Sequence, residues 1–526
     1  MAAPGSRLRP LPAVTLSGAP LAGTPLLTDG SIQAVAVPVA PARPGDDGLT
    51  PGVGTAQVAA RYGIDLAELA ERAGLSGAAG EVHTVHLPRP AGSAVTLPWT
   101  GLPARIVLVG VGDGGHAALR RAGAALARAV RGVGAVGTTL GDDPAADASA
   151  VAAATRALVE GYLLAAYRIP TLASGTTSET AADLVLLGRD GSRAGAAVVA
   201  ARTAATATWL VRDLANTPSS TKNPEWLASQ AKRLGTAAGL RVEVLGPREL
   251  ARDGFGAILA VGAGSASPPR LVVARYEPAQ PGGRHVVVVG KGITYDTGGL
   301  SIKPRESMVT MKTDMAGAAV ALATVIGAAQ ARSQHRVTAV LPLAENHFGG
   351  SSYRPGDVVT AYGGTTIEVF NTDAEGRMVL ADGLAFADAT LDPDVLIDVA
   401  TLTGAARIGL GTGIGALYGT DETLVGALAA AGEATGERVW PMPLPDEYAT
   451  TTDSAIADVR QTSNEPKAGA GSVFAALFLR HFVGQRAWAH LDIAGPARAT
   501  ADKHEVSEGA TGFGARLLLA YLAELR

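Results

Sequence analysis

The chain of 526 residues contains no cysteine, and it has few aromatic and few charged residues. Without cysteine there is no disulfide, no thiolate nucleophile, and no zinc or iron–sulfur site built on sulfur ligands. Aromatic residues make up only 4% of the chain, so a hydrophobic core has to be built from small aliphatic side chains. The formal net charge of −4 gives no basic excess, and we therefore expect no general nucleic-acid partner.

The chain also lacks the apolar segments that secretion and membrane insertion require. Its first twenty residues, MAAPGSRLRPLPAVTLSGAP, contain no continuous apolar stretch of the kind found in a signal peptide. No window approaches the roughly 18 uncharged apolar residues that span a bilayer. We therefore expect a cytoplasmic protein with no membrane partner. A Gly-x-Ser-x-Gly sequence is absent as well, which argues against a serine hydrolase.

The residues that are abundant are glycine, with 66 copies, and hydrophobic residues, at 47% of the chain. Segments typical of strands alternate with helical patterns along the chain, which predicts an α/β fold in two domains. A long helical pattern over 192–216, closed by Pro218, predicts a connecting helix. We predict a loose tail over 1–20, a smaller N-terminal α/β domain over 21–191, and a larger C-terminal α/β domain over 217–526. Near-continuous apolar strands in the larger domain favour a mixed central sheet covered by helices on both faces.

Three glycines in the first half, Gly110, Gly112 and Gly115, have the spacing of a dinucleotide-binding loop. Such a loop needs an acidic residue about 20 residues further on, at the end of the next strand, to hold a ribose. The sequence at that point, GAVGTTLGDD, is typical of a loop. We therefore interpret the glycines as a tight turn between a strand and a helix, and a dinucleotide-dependent oxidoreductase is the weaker alternative.

The sequence NTDAEGR, residues 371–377, has charged side chains at alternate positions and precedes the apolar run MVLADGLAFA. Alternate residues share a face only in an extended segment, so we predict that Asp373, Glu375 and Arg377 lie on a strand or open loop. The helix is predicted from Met378, and its N-terminus together with the guanidinium of Arg377 would form an anion site. A solvated acidic loop that caps a helix is the alternative.

A second polar stretch, GKGITYDTGGLSIKP with MKTDMAG shortly after it, follows the apolar strand HVVVVG. Ligand sites in open α/β sheets lie at the carboxyl ends of strands, where this stretch begins. This stretch supplies Asp296 and Asp314, and NTDAEGR supplies Asp373 and Glu375. If these four carboxylates come together, their pKa values would rise strongly unless cations neutralise them. Two divalent metal ions about 3.5–4 Å apart would do so. For any one of these residues alone, an ordinary glycine-rich surface loop is the alternative.

The chain resembles the leucyl aminopeptidases, the M17 family of cytosolic two-metal exopeptidases, in KGITYDTGGLSIKP, MKTDMAGAA, NTDAEGRMVLADGL and ATLTGA. The spacing of these segments agrees with the family as well as their residue types. The resemblance runs from about Val211 to the C-terminus and includes VRDLANTPSSTKNP, AHLDIAGPA and ATGFGARLL. Before Val211, only the general α/β pattern is visible.

The resemblance implies a set of metal ligands. Lys291, Asp296, Asp314 and Glu375 would hold one divalent ion, and Asp296, Asp373 and Glu375 would hold the other. The ions would be Mn²⁺ or Zn²⁺, a choice that the sequence leaves open. They would activate a water molecule that releases N-terminal amino acids, leucine-like by preference, from peptides with a free N-terminus.

The resemblance also assigns residues around the metals. Lys303 and Arg377 match the family's catalytic pair, and Arg377 would hold a bicarbonate anion. A homo-hexamer is implied as well. The pocket for the first side chain would be lined by Met311, Thr401, Gly404, Ala494 and Ala497.

The chain departs from the family pattern at a few positions. Tyr295 stands where phenylalanine is usual, His347 where methionine is frequent, and Ala497 where methionine is common, so the side-chain preference stays open. A non-catalytic scaffold or a nucleic-acid-binding protein on the same fold is the alternative function. The presence of every ligand, with Lys303 and Arg377, favours the enzyme.

Overall fold

The computed structural model describes residues 9–45, 48–88, 96–170, 181–280, 282–464 and 469–526. The chain divides into two units. The N-terminal unit consists of Pro10–Ala205 with Ala501–Ser507, and the C-terminal unit consists of Arg9, Thr206–Thr500 and Glu508–Arg526. A single helix, Ser192–Asn216, begins in the first unit and ends in the second.

The N-terminal unit is built on a seven-stranded sheet. Its strands are β1 Val14–Ser17, β2 Ala34–Ala40, β3 Thr50–Pro51, β4 Val82–His86, β5 Arg105–Gly110, β6 Ala135–Thr138 and β7 Asp183–Leu187. Its helices are α1 Thr55–Tyr62, α2 Leu66–Arg72, α3 His116–Ala129, α4 Ala148–Ala165 and the first part of α5 Ser192–Asn216. The strand order is β1-β7-β6-β2-β5-β4 with β3 beside β2, and all neighbours are parallel except those of β3 and β4.

The predicted loose tail over 1–20 needs a correction. Residues 1–8 lie outside the described residues, but Val14–Ser17 forms β1 and pairs in parallel with β7. Val14 and Leu16 pack against the core of this unit, because alternate residues of a strand point to the same face. This part of the segment is therefore ordered by burial and by ladder hydrogen bonds.

The glycine spacing at 110–115 belongs to a tight turn between β5 and α3. A Cβ on Gly110 would lie 2.0 Å from the carbonyl oxygen of Ala78, and one on Gly112 would lie 3.1 Å from the Ala79 side chain. Gly112 also has a φ of 57°, which favours glycine. The close approach of Ala78 and Ala79 therefore explains why Gly110 and Gly112 are glycines, and a bound nucleotide is not needed to explain them.

The C-terminal unit is built on a nine-stranded sheet. Its strands are β8 Arg241–Leu245, β9 Arg270–Tyr276, β10 His285–Gly290, β11 Gly292–Asp296, β12 Arg336–Asn346, β13 Val358–Thr360, β14 Thr366–Glu368, β15 Val395–Ala400, β16 Gly415–Gly419, β17 Val439–Pro441, β18 Val459–Arg460, β19 Ala487–Asp492, β20 Arg498–Ala499 and β21 Gly509–Ala510. Strands β13, β14 and β18 form a small separate sheet, and β20 pairs with β21. The helices are α6 Pro224–Ala237, α7 Pro247–Arg252, α8 Gly256–Gly262, α9 Arg305–Met308, α10 Ala316–Gln330, α11 Glu375–Phe386, α12 Gly404–Leu410, α13 Glu422–Thr435, α14 Gly471–Arg480 and α15 Ala515–Glu524.

The large sheet is mixed, as predicted, with the order β17-β16-β19-β15-β10-β12-β9-β8 and β11 beside β12. Its centre is parallel, since β10 pairs in parallel with both β12 and β15. One hydrophobic cluster packs α6, α10, α13 and α15 against one face, and a second packs α8, α11 and α14 against the other. The predicted fold class, an α/β protein with helices on both faces of the larger sheet, is confirmed.

Helix α10 starts in close contact with the strand ends. A Cβ on Gly317 would lie 2.0 Å from the carbonyl oxygen of Val399, and one on Gly290 would lie 2.3 Å from the carbonyl oxygen of Gly317. Glycine at both positions lets the helix approach the ends of β10 and β15. The residues just before α10 are thereby held at this edge of the sheet.

Two helical stretches are long and apolar enough to cross a membrane by length and composition, Ser192–Asn216 and Arg305–Gln330. In their most apolar windows, 61% and 78% of the residues are buried inside the protein. Such burial is typical of core helices, so these stretches are weak evidence for a membrane span.

Candidate metal centre

The candidate site lies where several strands of the large sheet end. Lys291 follows β10 directly, Asp296 is the last residue of β11, and Thr401 follows β15 directly. Because β10 is parallel to both β12 and β15, these carboxyl ends meet at one edge of the sheet. Asp314 lies just before α10 and Glu375 begins α11, where the positive end of each helix dipole favours a carboxylate.

Asp296, Asp314 and Glu375 form a cluster in which one ligand oxygen from each lies within 4.8 Å of the others. All three are buried, with 2%, 6% and 1% of their surface exposed. Within the described part of the chain, no hydrogen-bond donor reaches Asp314 Oδ2 or Glu375 Oε2. Buried carboxylate oxygens without donors are costly, and carboxylates are common ligands of divalent cations. The cluster therefore fits a divalent metal ion.

Two lysines reach the carboxylates. The Nζ atom of Lys291 lies 2.9 Å from Asp314 Oδ1 and 2.9 Å from Glu375 Oε1. The Nζ atom of Lys303 lies 2.9 Å from Asp296 Oδ2 and 2.5 Å from Asp373 Oδ1. The structure thus brings all four predicted carboxylates and both lysines into one group.

The group carries more negative than positive charge. Four ionised carboxylates and two ammonium groups leave a net charge of two negative. Burial raises the pKa of Asp314 well above its ordinary value, and repulsion from Glu375 and Asp296 adds to the rise. Burial lowers the pKa of Lys291, but attraction by Asp314, Glu375 and Asp296 outweighs it, so this pKa also lies above its ordinary value. Both shifts favour the uptake of positive charge, which a divalent cation would supply.

The approach of Lys291 to the carboxylates depends on a glycine. A Cβ on Gly376 would lie 2.4 Å from Lys291 Cε and 2.6 Å from its Nζ. The lysine also donates a hydrogen bond of 2.9 Å to the carbonyl oxygen of Thr401. The lysine side chain is therefore fixed by its partners and by the bare backbone of Gly376.

The prediction that residues 373–377 are all extended is wrong for the second half of that segment. Helix α11 begins at Glu375, three residues before the predicted start at Met378. Glu375 lies in the first turn, where an acidic side chain interacts favourably with the helix dipole. Only Asp373 lies in the preceding loop, where its N–H donates to Asn371 Oδ1. The side chains meet because the loop and the first helical turn face one edge of the sheet.

Asp296 is oriented by Gly298, which belongs to the same motif, and by Asn346, which no sequence motif includes. Its Oδ1 accepts hydrogen bonds from Asn346 Nδ2 at 2.7 Å and from the N–H of Gly298 at 2.8 Å. Asn346 also donates to the carbonyl oxygen of Thr372, which joins Asp296 to the loop of Asp373. Since Asn346 is the last residue of β12, its position at a carboxyl strand end is a signal that could have identified it.

Arg377 lies on the first turn of α11. Its Nη1 donates a hydrogen bond of 2.7 Å to the carbonyl oxygen of Gln461, whereas its buried Nε has no partner among the described residues. Burial lowers the pKa of Arg377 to about 10, so the guanidinium stays charged at neutral pH. A buried, charged N–H donor that has no acceptor among the described residues and lies beside a helix N-terminus is suited to bind an anion.

The five predicted pocket residues come from three segments. Thr401 donates a hydrogen bond of 2.7 Å to Asp314 Oδ1, and Met311 begins the short 3₁₀ turn that ends just before Asp314. The carboxylate of Asp492 accepts hydrogen bonds from the N–H groups of Leu402, Thr403 and Ala494. It thereby links the segment of Thr401 and Gly404 to the segment of Ala494 and Ala497. Gly404 is exposed, whereas Ala497 is buried in the core cluster. The described hydrogen bonds thus join Thr401 to the carboxylate cluster and join the segment after β15 to Ala494 through Asp492.

The chain matches known proteins over nearly its whole length. Residues 209–519 match the model of the cytosol aminopeptidase family, catalytic domain, and residues 36–176 match that of its N-terminal domain. A probable cytosol aminopeptidase of Streptomyces avermitilis is 41% identical over 98% of both chains. The bottromycin maturation enzyme BotP in complex with Mn is 35% identical, with a TM-score of 0.79 over 93% of this chain and 99% of that one. A mutant of tomato leucine aminopeptidase is 26% identical, with a TM-score of 0.84 over 99% of this chain and 98% of that one.

Proposed function

The chain belongs to the cytosol aminopeptidase family and is therefore a metal-dependent peptide hydrolase, and on this basis we propose its specific reaction. We propose that it releases N-terminal amino acids from peptides by using two divalent ions. The observation that carries this proposal is the buried cluster of Asp296, Asp314 and Glu375, with two carboxylate oxygens that no donor reaches among the described residues. The preferred first residue is leucine-like and apolar.

The ligand sets follow the family motifs. Lys291, Asp296, Asp314 and Glu375 would hold one ion, and Asp296, Asp373 and Glu375 would hold the other. The Mn-bound BotP structure favours Mn²⁺, and Zn²⁺ is the alternative. When bound, the ions supply a water molecule of lowered pKa and an electrophile for the scissile carbonyl.

The two lysines have different tasks. An ammonium has no lone pair, so Lys291 has to release its proton before it becomes a ligand. Lys303 keeps its proton, because attraction by Asp296 and Glu375 outweighs burial and holds its pKa above the ordinary value. Its charge stabilises the negative charge that develops on the carbonyl oxygen of the substrate.

Arg377 holds a bicarbonate anion at the start of α11. The unpartnered Nε of the guanidinium supports this role, since it is a buried charged donor without an acceptor among the described residues. A bicarbonate held there would supply a group that can accept and donate a proton close to the attacking water and the leaving amine.

The substrate is a peptide with a free N-terminus. Met311, Thr401, Gly404, Ala494 and Ala497 line the pocket for its first side chain. We also propose a cytoplasmic homo-hexamer, which rests on the family resemblance and on the relatives named cytosol aminopeptidase. Light scattering of the purified protein tests the assembly.

The alternative, a non-catalytic scaffold or nucleic-acid-binding protein, does not account for the cluster. A scaffold gains nothing from three buried carboxylates, whose desolvation is costly without a compensating cation. The net charge of −4 also gives no general attraction to phosphate backbones.

The proposed exopeptidase activity is tested with two substrates that differ only at the amine. With Mn²⁺ present, the protein should hydrolyse leucine p-nitroanilide, and it should leave N-acetyl-leucine p-nitroanilide intact. Glu375→Gln, which keeps the shape of the side chain and removes its charge, should be inactive on both substrates. Hydrolysis of the acetylated substrate at a similar rate would contradict an exopeptidase.

A further inference from the structure

Gln461 is the one residue outside the family motifs that touches both the Asp373 loop and Arg377 by described hydrogen bonds. It follows β18 directly and has 0% of its surface exposed. It lies about 90 residues after the loop in the chain, outside every motif described above.

The side-chain amide of Gln461 spans the loop that carries Asp373. Its Oε1 accepts hydrogen bonds of 3.1 Å from the N–H groups of Phe370 and Asn371. Its Nε2 donates a hydrogen bond of 3.0 Å to the carbonyl oxygen of Ala374. One amide therefore pairs with backbone groups on both sides of Asp373. Its oxygen is needed to accept from the N–H groups before Asp373, and its NH₂ group is needed to donate to the carbonyl oxygen after it.

The backbone of Gln461 contacts the second functional element. Its carbonyl oxygen accepts the 2.7 Å hydrogen bond from Arg377 Nη1, and its N–H donates 2.9 Å to the carbonyl oxygen of Glu368. The position of Gln461 thus sets the distance between the Asp373 loop and the guanidinium.

The segment before Gln461 is itself held to the strand that leads into the loop. Strand β18 pairs in parallel with β14, and Asp458 Oδ2 accepts hydrogen bonds from the N–H and the hydroxyl of Thr366. The guanidinium of Arg460 lies over the ring of Phe370, 4.3 Å from its centroid. The amide of Gln461 is therefore presented by a fixed backbone.

We propose that Gln461 is a positioning residue for the aminopeptidase reaction, which holds Asp373 and Arg377 at a fixed separation through its side-chain amide and its carbonyl oxygen. This inference rests on the proposed function. Outer partners of metal ligands typically contribute about 10- to 100-fold to metal affinity or activity. We expect an effect of that size on kcat and on Mn²⁺ affinity, with little effect on KM, because Gln461 touches no predicted pocket residue in the described hydrogen bonds.

The first test compares Gln461→Met with Gln334→Met in the full chain. Methionine keeps the length of the side chain and removes its hydrogen bonds, and Gln334 is an exposed glutamine of the same unit. Folded protein is verified by circular dichroism and thermal unfolding, and bound Mn²⁺ is titrated by electron paramagnetic resonance. Gln461→Met should lose about 10- to 100-fold in kcat and in affinity for the more weakly held Mn²⁺. Gln334→Met should match wild type.

The second variant, Gln461→Glu, separates positioning from general stability. A protonated carboxyl reproduces the acceptor and the donor of the amide, whereas an ionised one loses the donor to Ala374. The activity of Gln461→Glu relative to wild type should therefore rise as pH falls. Burial of an ionised carboxylate also destabilises the folded state, so the activity is divided by the folded fraction measured at each pH, and a purely structural role would leave this corrected ratio independent of pH.

Three outcomes are distinguishable. Wild-type kcat and Mn²⁺ affinity in Gln461→Met would overturn the positioning role. A kcat that falls only in proportion to unfolded protein, with a pH-independent ratio for Gln461→Glu, would overturn it as well. If the wild-type protein itself does not hydrolyse leucine p-nitroanilide with Mn²⁺ present, the proposed function fails, independently of any Gln461 variant.

Discussion

The substitution Gly376→Ala tests the site geometry with the addition of a single methyl group. Gly376 is the second residue of α11, and its φ is not among the positive values, so alanine is compatible with the backbone. Alanine in a helix is even favoured over glycine by up to about 1 kcal/mol. Any loss of activity therefore has to come from the position of the new methyl group.

The size of the effect follows from the distances to Lys291. The new Cβ would lie 2.4 Å from Lys291 Cε, whereas ordinary contact begins at 3.4 Å, so the lysine has to retreat by about 1 Å. Lys291 is held by Asp314, Glu375 and the carbonyl oxygen of Thr401, and it cannot keep these contacts after such a shift. A misplacement of about 1 Å costs on the order of 100-fold in rate. This corresponds to about 2.7 kcal/mol of transition-state stabilisation.

The assay is kcat/KM on leucine p-nitroanilide with saturating Mn²⁺, beside a thermal unfolding scan. Gly426→Ala is the matched control, because Gly426 lies on the exposed side of α13 and a Cβ there would meet no atom within 4 Å. We expect Gly376→Ala to fold, to bind Mn²⁺ more weakly, and to lose about 100-fold in kcat/KM. The control should keep wild-type activity. A Gly376→Ala variant with kcat/KM within about twofold of wild type would refute the placement of Lys291.

Further predictions concern single charged groups. Lys291→Arg should lose tightly bound Mn²⁺ by elemental analysis, because a guanidinium does not release its proton, and two tightly held ions with full activity would exclude lysine ligation. Arg377→Ala should keep its Mn²⁺ and lose most of the acceleration by added bicarbonate, whereas an acceleration equal to that of wild type would count against the anion site. Mn²⁺ affinity should weaken as pH falls, because protons compete with the metal at Asp314, whose pKa is raised, and at Lys291, and a pH-independent affinity would disprove this competition. Burial raises the pKa of Asp382 to about 7, so its contribution to stability is complete below about pH 4 and is lost as pH rises through about 7. Asp382→Asn should remove that part of the pH dependence of the unfolding free energy in urea, and a curve parallel to wild type would be inconsistent with the shift.

Features that depend on local sequence could be predicted. The apolar run of β10 indicates a strand covered on both faces, and its end at Gly290 places Lys291 at the carboxyl edge of the sheet. The motif spacing then brings Asp296, Asp314 and Glu375 to the same edge, where the structure has them within 4.8 Å of one another.

Features that depend on contacts between distant segments could not be predicted. The start of α11 at Glu375 depends on how the loop before it is held, and the alternating charges alone favoured an extended segment. The need for glycine at 376 comes from Lys291, which is 85 residues earlier in the chain and reaches the site from a different strand. Gln461 reaches the loop from the opposite direction in sequence, and no local pattern around it indicates a partner. Such contacts are set by tertiary packing, which the sequence pattern does not encode locally.

Reconstitution of the metal-free protein with Mn²⁺ is the decisive test of a two-metal aminopeptidase. Metal is removed with a chelator, Mn²⁺ is added back in known ratios to the chain, and hydrolysis of leucine p-nitroanilide is followed. We expect no hydrolysis without metal, and activity that rises with added Mn²⁺ and levels off at about two ions per chain. Full activity of the metal-free protein, or no activity at any ratio of Mn²⁺ or Zn²⁺, would contradict this expectation.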